Sequence, residues 1–415
     1  MMSATKPPEA RVDETRSVLV APRHLHDDEL LRDFFGTKAT PEEAASGALD
    51  LAGKTVYLCG DAAEISGLTC RLAAAARVFV VRQLTHGRDV DGAGAGPWPV
   101  VDVGRVPVRV HGAGVHYRRF FEPDAGHFGR IRAEHAFQSL TESTKPGAAH
   151  RSGIYLTPVD VRGDERHFRL LRCSTNLSGP TEGFGPTDTR IVADLNREAA
   201  AVFRDHAPLN HVLAQIYHNT RATAERKQSK AKIAAHADKT KDMPAHGIMA
   251  FCTFYDGLDG LQPLPDDPFD YGVKGVSGLT RLRFRRKENR TDEAEVTELP
   301  DRFTVTLHPG SVFLMPLSTN RLYTHEIRPS ALDAGTIPTR LGYVVRCSRT
   351  EAVHKDGRTY LKRAGGLVEL EPPTPAGMDE LRRLYAEENS TASYVDYGDG
   401  FLFSMNTGDY RAPRP

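Results

Sequence analysis

The segment Arg340-Leu341-Gly342-Tyr343-Val344-Val345-Arg346 reads as a β-strand with two unlike faces. Side chains two apart in an extended chain point the same way. Arg340, Gly342, Val344 and Arg346 therefore share one face, and Leu341, Tyr343 and Val345 the other. The second face is apolar and suits a core. The first carries two guanidinium groups, and Gly342 leaves space between them. Guanidinium recognises carboxylate through paired hydrogen bonds, so this face fits a dicarboxylic ligand. Around this segment, residues 247–349 are rich in strand formers, with turns at Asp256-Gly257, Asp259-Gly260 and Pro309-Gly310. An antiparallel barrel or jelly roll fits that text. The acidic residues at 256–260 and 266–270 lack EF-hand spacing and read as hairpin turns.

Upstream, the clearest amphipathic helix is Asp188 to His206, where Ile191, Val192, Leu195, Ala199 and Val202 recur at helical spacing. It is expected to buttress the core. Tyr155 to Val159 and Phe168 to Arg172 read as two strands joined by the turn at Gly163-Asp164. Thr55 to Cys59 and Arg77 to Val81 read as strands flanking a helix from Glu64 to Ala76, one βαβ unit. Its turn, Gly60-Asp61-Ala62-Ala63, lacks the GxGxxG fingerprint, so this unit reads as structural and not as a nucleotide site. Pro41-Glu42-Glu43-Ala44 reads as a helix start. The expected class is α+β: a double-stranded β-helix (jelly-roll) core over residues 126–415 with a helical buttress, and an N-terminal α/β extension over residues 1–125.

Composition narrows the function. The chain has 415 residues, 40% of them hydrophobic, ample for a sizeable core. Lysine plus arginine equals aspartate plus glutamate at 54 each, which argues against binding nucleic acid through bulk positive charge. No apolar run approaches the ~18 residues that cross a bilayer, and Met1 to Arg16 shows no apolar signal region. Five scattered cysteines, 59, 70, 173, 252 and 347, form no CxxC pair. A reducing cytoplasm is the expected home. Cys252 and Cys347 fall in strands and read as packing residues.

The chemistry lies in His236-Ala237-Asp238 and Tyr323-Thr324-His325. In an extended segment His236 and Asp238 face one side and can reach one metal ion. His325 supplies a second imidazole from a segment of strand character. Two histidines and one carboxylate on one side of a metal form the facial arrangement of non-haem Fe(II) oxygenases, with positions left open for substrate and oxygen. An HxD alone is weak among 17 histidines. The arginine-bearing strand strengthens it.

The stretch Val305 to Met315 (VTLHPGSVFLM), then Ser318-Thr319-Asn320, Tyr323-Thr324-His325 and Arg340-x5-Arg346 resembles the AlkB-like branch of the Fe(II)/2-oxoglutarate-dependent dioxygenases. So do Gln215-Ile216-Tyr217-His218-Asn219, Ile233 and His236-x-Asp238 upstream. The resemblance covers roughly residues 210–350. Gln215 stands where the family has asparagine, and the interval from Tyr217 to His236 is longer than usual. The resemblance implies that His236, Asp238 and His325 bind Fe(II), that Arg340 pairs with the distal carboxylate of 2-oxoglutarate, that Arg346 sits near the metal end, and that Tyr217 hydrogen-bonds the cosubstrate. It further implies O2-dependent oxidative decarboxylation to succinate and CO2 with hydroxylation of a C–H bond. The metal and cosubstrate carry that chemistry, and the protein orients them.

For the substrate, a basic segment from Arg221 to Lys241 and the run Arg281 to Lys287 are the features that favour nucleic acid. Arg281, Arg283 and Arg285 alternate with Leu282 and Phe284, however, as in a half-buried strand with a solvated face. A small molecule is the expected substrate (an amino acid, nucleoside or biosynthetic intermediate), anionic if Lys239 and Lys241 beside the metal motif hold it, with Asn320 as a further contact. The polar segment Cys173 to Thr181 reads as an ordinary turn before it reads as a substrate loop. The alternatives are oxidative demethylation of alkylated nucleic acid and a catalytically silent binding or sensing module.

Overall fold

The computed structural model describes residues 8–87, 97–141, 148–173, 177–288 and 299–415. The described chain is mostly strand, with few helices. Its centre is an eight-stranded sheet in the order Val108–Val110, Gly114–Tyr117, Val312–Pro316, Ile248–Asp256, Thr339–Arg346, His211–Tyr217, Ala148–Leu156, Gln138–Thr141. All neighbours in it are antiparallel. A four-stranded sheet, Ile233–His236, Tyr323–Arg328, Arg281–Arg286 and Arg302–Thr306, packs across one face of it. Tyr217, Met249, Phe251, Phe313 and Met315 from the large sheet meet Leu282, Phe284, Phe303, Val305 and Tyr323 from the small one in a single apolar cluster. The other face of the large sheet buries Val212, Ala250, Leu341, Tyr343 and Val345 against Ile191, Leu195, Ala199 and Val202 of the helix Pro186–Val202. The period-2 and period-3.6 patterns thus place each apolar set on the side that is covered.

That helix starts two residues earlier than the spacing suggests. Pro186 takes the first turn, where its missing N–H costs nothing, and the Gly185 amide donates to Asp188 Oδ2 at 2.8 Å. Asp188 also accepts from Tyr343 Oη (2.8 Å) and faces His135 Nε2 (2.6 Å), whose Nδ1 lies 3.1 Å from Glu182. Both ring nitrogens of His135 face carboxylates, so the ring is held as an imidazolium. Burial opposes that charge, but the hydrogen bonds to Asp188 and Glu182 outweigh it and raise the pKa to about 9. A raised folded pKa stabilises fully below the unfolded value of about 6.5, and the contribution is lost as pH rises through 9. The shift corresponds to roughly 3 kcal/mol. We expect melting temperature to fall between pH 6.5 and 10, with the fall markedly shallower in His135→Gln. Parallel pH profiles for the two proteins would exclude this role.

The N-terminal region forms a parallel five-stranded sheet ordered Thr37–Ala39, Ser17–Val20, Thr55–Asp61, Arg77–His86, Val100–Val101. Three details differ from the sequence reading. The helix expected over Glu64 to Ala76 is two short pieces, Ala62–Gly67 and Thr69–Leu72, interrupted at Leu68, directly after Gly67, a poor helix former. The strand runs through Gly60 to Asp61, whose side chain caps the helix from Ala63 N at 2.7 Å. Val108–Val110 and Gly114–Tyr117, assigned above to the extension, pair into the large sheet, so the change of sheet falls between Val101 and Val108.

A fourth difference concerns the hairpin. The turn at Gly163-Asp164 joins Asp160–Arg162 to Glu165–Leu170, while Ala148–Leu156 pairs with His211–Tyr217. Pro158 cannot donate to a ladder, and the first strand ends before it. Glu165–Leu170 instead joins a C-terminal five-stranded sheet with Thr350–Lys355, Arg358–Arg363 and Gly366–Glu369. Of the polar segment Cys173 to Thr181, residues 174–176 lie outside the described residues. Beyond them the Ser178 and Gly179 amides both donate to Gln138 Oε1, at 2.8 and 2.6 Å. No described helix is long and apolar enough to cross a membrane.

Candidate metal centre

His236 ends the strand Ile233–His236 and lies opposite His325 in the neighbouring strand. Cross-strand partners project to one side, and the two imidazoles meet with ring centroids 4.5 Å apart. Asp238, two residues on, brings Oδ1 to 3.5 Å from His236 Nε2 and 4.0 Å from His325 Nε2. The three ligand atoms lie within 4.8 Å of one another. An ion with bonds of about 2.1 Å needs only a small inward movement of these groups.

The protonation pattern suits a metal. His236 Nδ1 is 2.9 Å from the Ala234 carbonyl, which places the proton on Nδ1 and leaves Nε2 as the ligand atom. Burial pushes His325 down to about 3, so its ring is neutral at ordinary pH. Asp238 Oδ2 accepts from Arg346 Nε (2.9 Å) and Nη2 (2.7 Å), leaving Oδ1 for the cluster. Burial alone would raise this carboxyl, but Arg346 and the imidazoles hold it well below the usual carboxylate range.

The loop that carries the motif is tied down amide by amide. Asp238 N donates to Asn320 Oδ1, and Asn320 Nδ2 donates to the Asp238 carbonyl, both at 2.9 Å. Asn320, expected to touch substrate, thus uses both ends of its amide on the backbone of the loop that carries Asp238. Ala237 N donates to Asn389 Oδ1 at 2.9 Å, and Thr240 N donates to Glu388 Oε1 at 3.1 Å. Glu388 also accepts from Thr240 Oγ1 and, at 2.5 Å, from Tyr397 Oη. Asn389 and Glu388 sit in the last turn of the helix Pro375–Ser390, and the sequence reading missed both. A signal exists: Glu387-Glu388 at a helix C-terminus opposes the helix dipole and implies partners elsewhere.

The two lysines expected to hold substrate have protein partners. Lys239 Nζ donates to the Tyr385 carbonyl at 2.9 Å. Lys241 is buried with Nζ 3.4 Å from Asp242 Oδ1, facing that carboxylate and not the metal ligands. Burial lowers its pKa to about 8. In the strand Arg281–Arg286, Leu282 and Phe284 are buried, Arg283 and Arg285 face solvent, and Arg281 pairs with Asp270 at 2.8 Å.

Arg340 and Arg346 share the face that covers the His-Asp-His cluster. Arg340 lies flat over Tyr217, 3.8 Å from the ring centre, and Tyr217 is its register partner. The Tyr217 hydroxyl donates to Gln215 Oε1 at 3.3 Å. The Arg340 side chain folds back over Gly342, where a Cβ would stand 2.8 Å from Nη1. Arg340 Nε and Arg346 Nη1 are buried without a hydrogen-bond partner among the described residues. Orphaned donors of this kind are expensive and imply a missing acceptor. Two guanidinium groups with unspent donors, one beside the His-Asp-His cluster and one up the strand, would suit a ligand that carries carboxylates. A second group, Glu134, His135 and Asp188, also gathers ligand atoms. Its histidine uses both nitrogens on carboxylates, and Glu134 accepts from Thr187 N at 3.1 Å and Thr187 Oγ1 at 2.5 Å, so it is an ion-pair network.

No family model matches the chain, and no curated protein is a significant match. Among solved structures it is similar to OsALKBH1 (12% identity, TM-score 0.31, covering 56% of this chain and 97% of that one). It is also similar to SnoN, a non-haem alpha-ketoglutarate-dependent epimerase of nogalamycin biosynthesis (14% identity, TM-score 0.31, covering 64% and 92%). Both likenesses are faint, and the functional reading stands on the chain's own geometry.

Proposed function

We propose that this protein is an Fe(II)- and 2-oxoglutarate-dependent oxygenase that hydroxylates a C–H bond of a small molecule, on a double-stranded β-helix formed by the large and small sheets. The observation that carries the reading is the convergence of His236, Asp238 and His325 beside Arg346, with Arg340 holding an unspent buried donor on the same face. Iron with 2-oxoglutarate and dioxygen supplies the oxidising power, releasing succinate and CO2. The side chains bind and orient. Arg346 fixes which Asp238 oxygen faces the metal. Arg340 receives the distal carboxylate. Phe251 and Phe284, with ring centres 5.6 and 5.8 Å from that of His325, exclude water from the cluster.

Net neutrality and the protein partners of Lys239 and Lys241 favour a compact substrate over a phosphate backbone. Anaerobic Fe(II) with 2-oxoglutarate should give a weak visible charge-transfer band. Arg340→Met should weaken 2-oxoglutarate binding by roughly 10- to 100-fold, the value of a charge-assisted pair, with iron affinity unchanged. A protein that binds neither iron nor 2-oxoglutarate refutes the oxygenase reading. Succinate release with methylated oligonucleotides, and none with a metabolite panel, would move the substrate to nucleic acid.

A further inference from the structure

The N-terminal parallel sheet has a winding that the oxygenase reading leaves unused. Numbered along the chain, its strands lie side by side as second, first, third, fourth, fifth. The link from the first strand to the second covers one face, where Leu31 and Phe34 pack with Leu19, Tyr57 and Val81. The links from the second to the third and from the third to the fourth cover the other face, where Ala44, Leu51, Ile65 and Leu72 pack with Val18, Val56 and Val80. The chain therefore leaves the ends of Ser17–Val20 and Thr55–Asp61 toward opposite faces. A sheet wound in this way opens a crevice beyond the carboxyl ends of those two strands, and doubly wound sheets bind their ligands there.

A cavity of about 470 Å³ lies at that place, a size typical of small-molecule sites. Four strand ends line it in turn: Arg23 and His24 follow the first strand, Glu42 the second, Asp61 and Glu64 the third, and His86 ends the fourth. Gly60 lets the first and third strand ends close up, since its φ is +116° and a Cβ there would stand 2.8 Å from the Pro22 ring. The polar groups are largely unspent. Asp61 uses Oδ1 on the Ala63 amide, and its Oδ2 is 3.9 Å from His86 Nε2, beyond hydrogen-bond reach. Glu64 and His24 have no hydrogen-bond or ion-pair partner among the described residues. Three carboxylates against one guanidinium attract a cation and repel phosphate, in keeping with the missing GxGxxG. The same carboxylates and imidazoles accept from hydroxyls. We propose that this crevice is a second binding site, on a different sheet from the metal centre, for a small molecule of the amino-sugar class, bearing a protonated amine and several hydroxyls and no phosphate. It stands independently of the oxygenase reading.

The test is saturation-transfer NMR on the full chain with three sugars of one skeleton: glucosamine, glucose and glucose 6-phosphate. Glucosamine should bind about three- to five-fold more tightly than glucose, the worth of one solvent-exposed charge pair. Glucose 6-phosphate should bind more weakly than either. Added salt should narrow the gap between glucosamine and glucose. Glu64 is exposed, so Glu64→Gln should leave the melting temperature unchanged and remove the preference for glucosamine. Glu225→Gln, an exposed carboxylate in the loop before the metal motif, should keep it. Should Glu64→Gln melt lower, the order of the three sugars on the wild-type protein still decides. Absence of glucosamine binding, glucosamine bound no better than glucose, or an equal loss in the two variants overturns the proposal. Glucose 6-phosphate binding more tightly than glucosamine also overturns it and makes the crevice an anion site.

Discussion

Asp238→Ala should cost the ligand-free protein about 3–5 kcal/mol and abolish the rise in melting temperature that Fe(II) gives. The second loss follows from removing one of three ligands. The first is less obvious, because a metal ligand is usually a burden on stability. Here Asp238 Oδ2 holds two donors of Arg346, whose side chain is only 5% exposed. Removing the carboxylate strands a guanidinium that cannot deprotonate. Asp238→Asn should lie between the two, since its amide oxygen still accepts from Arg346 but its charge is gone. Asp238→Ala/Arg346→Met should recover much of the loss, because the stranded charge goes with its partner. Urea unfolding of the four proteins decides the matter. Asp238→Ala unfolding at the wild-type midpoint would mean that Arg346 finds another acceptor, and that its pairing with the metal carboxylate does not matter.

The His236-Asp238-His325 grouping is legible in the sequence for a reason that also explains what is not. Parity alone pairs Arg340 with Arg346, because strand geometry is local and repeats every two residues, and it pairs His236 with Asp238 although the strand itself ends at His236. His325 needed one more assumption, that its strand pairs with that of His236, and the register supplies it. The partners of polar side chains obey no such period. Nothing in the sequence shows that the Asn320 amide turns to the backbone of Asp238. Lys241 reads from sequence as a cation free for substrate, whereas Asp242 sits next to it and both are buried. Asn389 reaches the metal loop from about 150 positions away in the chain. The Tyr155-to-Arg172 hairpin failed for a related reason: two strand-like segments with a turn between them pair only if no better partner exists, and Ala148–Leu156 has one in His211–Tyr217.

Asp242→Ala should be the most damaging substitution away from the metal ligands, costing again about 3–5 kcal/mol. Asp242 is a junction. Its oxygens accept from Arg172 N (2.6 Å), Arg172 Nε (3.1 Å), Arg172 Nη2 (2.7 Å) and Thr350 Oγ1 (2.8 Å). Arg172 then passes the contact on, donating through Nη1 to the carbonyls of Phe401 (2.6 Å) and Phe403 (3.2 Å), while its own carbonyl accepts from Tyr385 Oη at 2.9 Å. The pair thereby joins the metal loop to the C-terminal segment whose helix supplies Asn389 and Glu388. Without Asp242, two cations are left buried. Lys241, already lowered to about 8, can lose its proton and escape most of the penalty. Arg172 cannot, so the cost falls on Arg172 and on the segment it anchors. Arg172 and Lys241 hold the Asp242 carboxyl far below the ordinary range, against burial that would raise it. A depressed folded pKa gives stability above the unfolded value of about 3.9 that is lost as pH falls below it. The wild-type protein should therefore lose part of its margin over Asp242→Ala in acid, while Asp242→Ala shows faster proteolytic trimming of residues 399–415 at neutral pH. A variant with the wild-type unfolding midpoint and the wild-type cleavage rate would show that the C-terminal segment is held by its apolar contacts alone, through Leu381, Leu384, Tyr397 and Phe403, and that the ion pair is incidental to them.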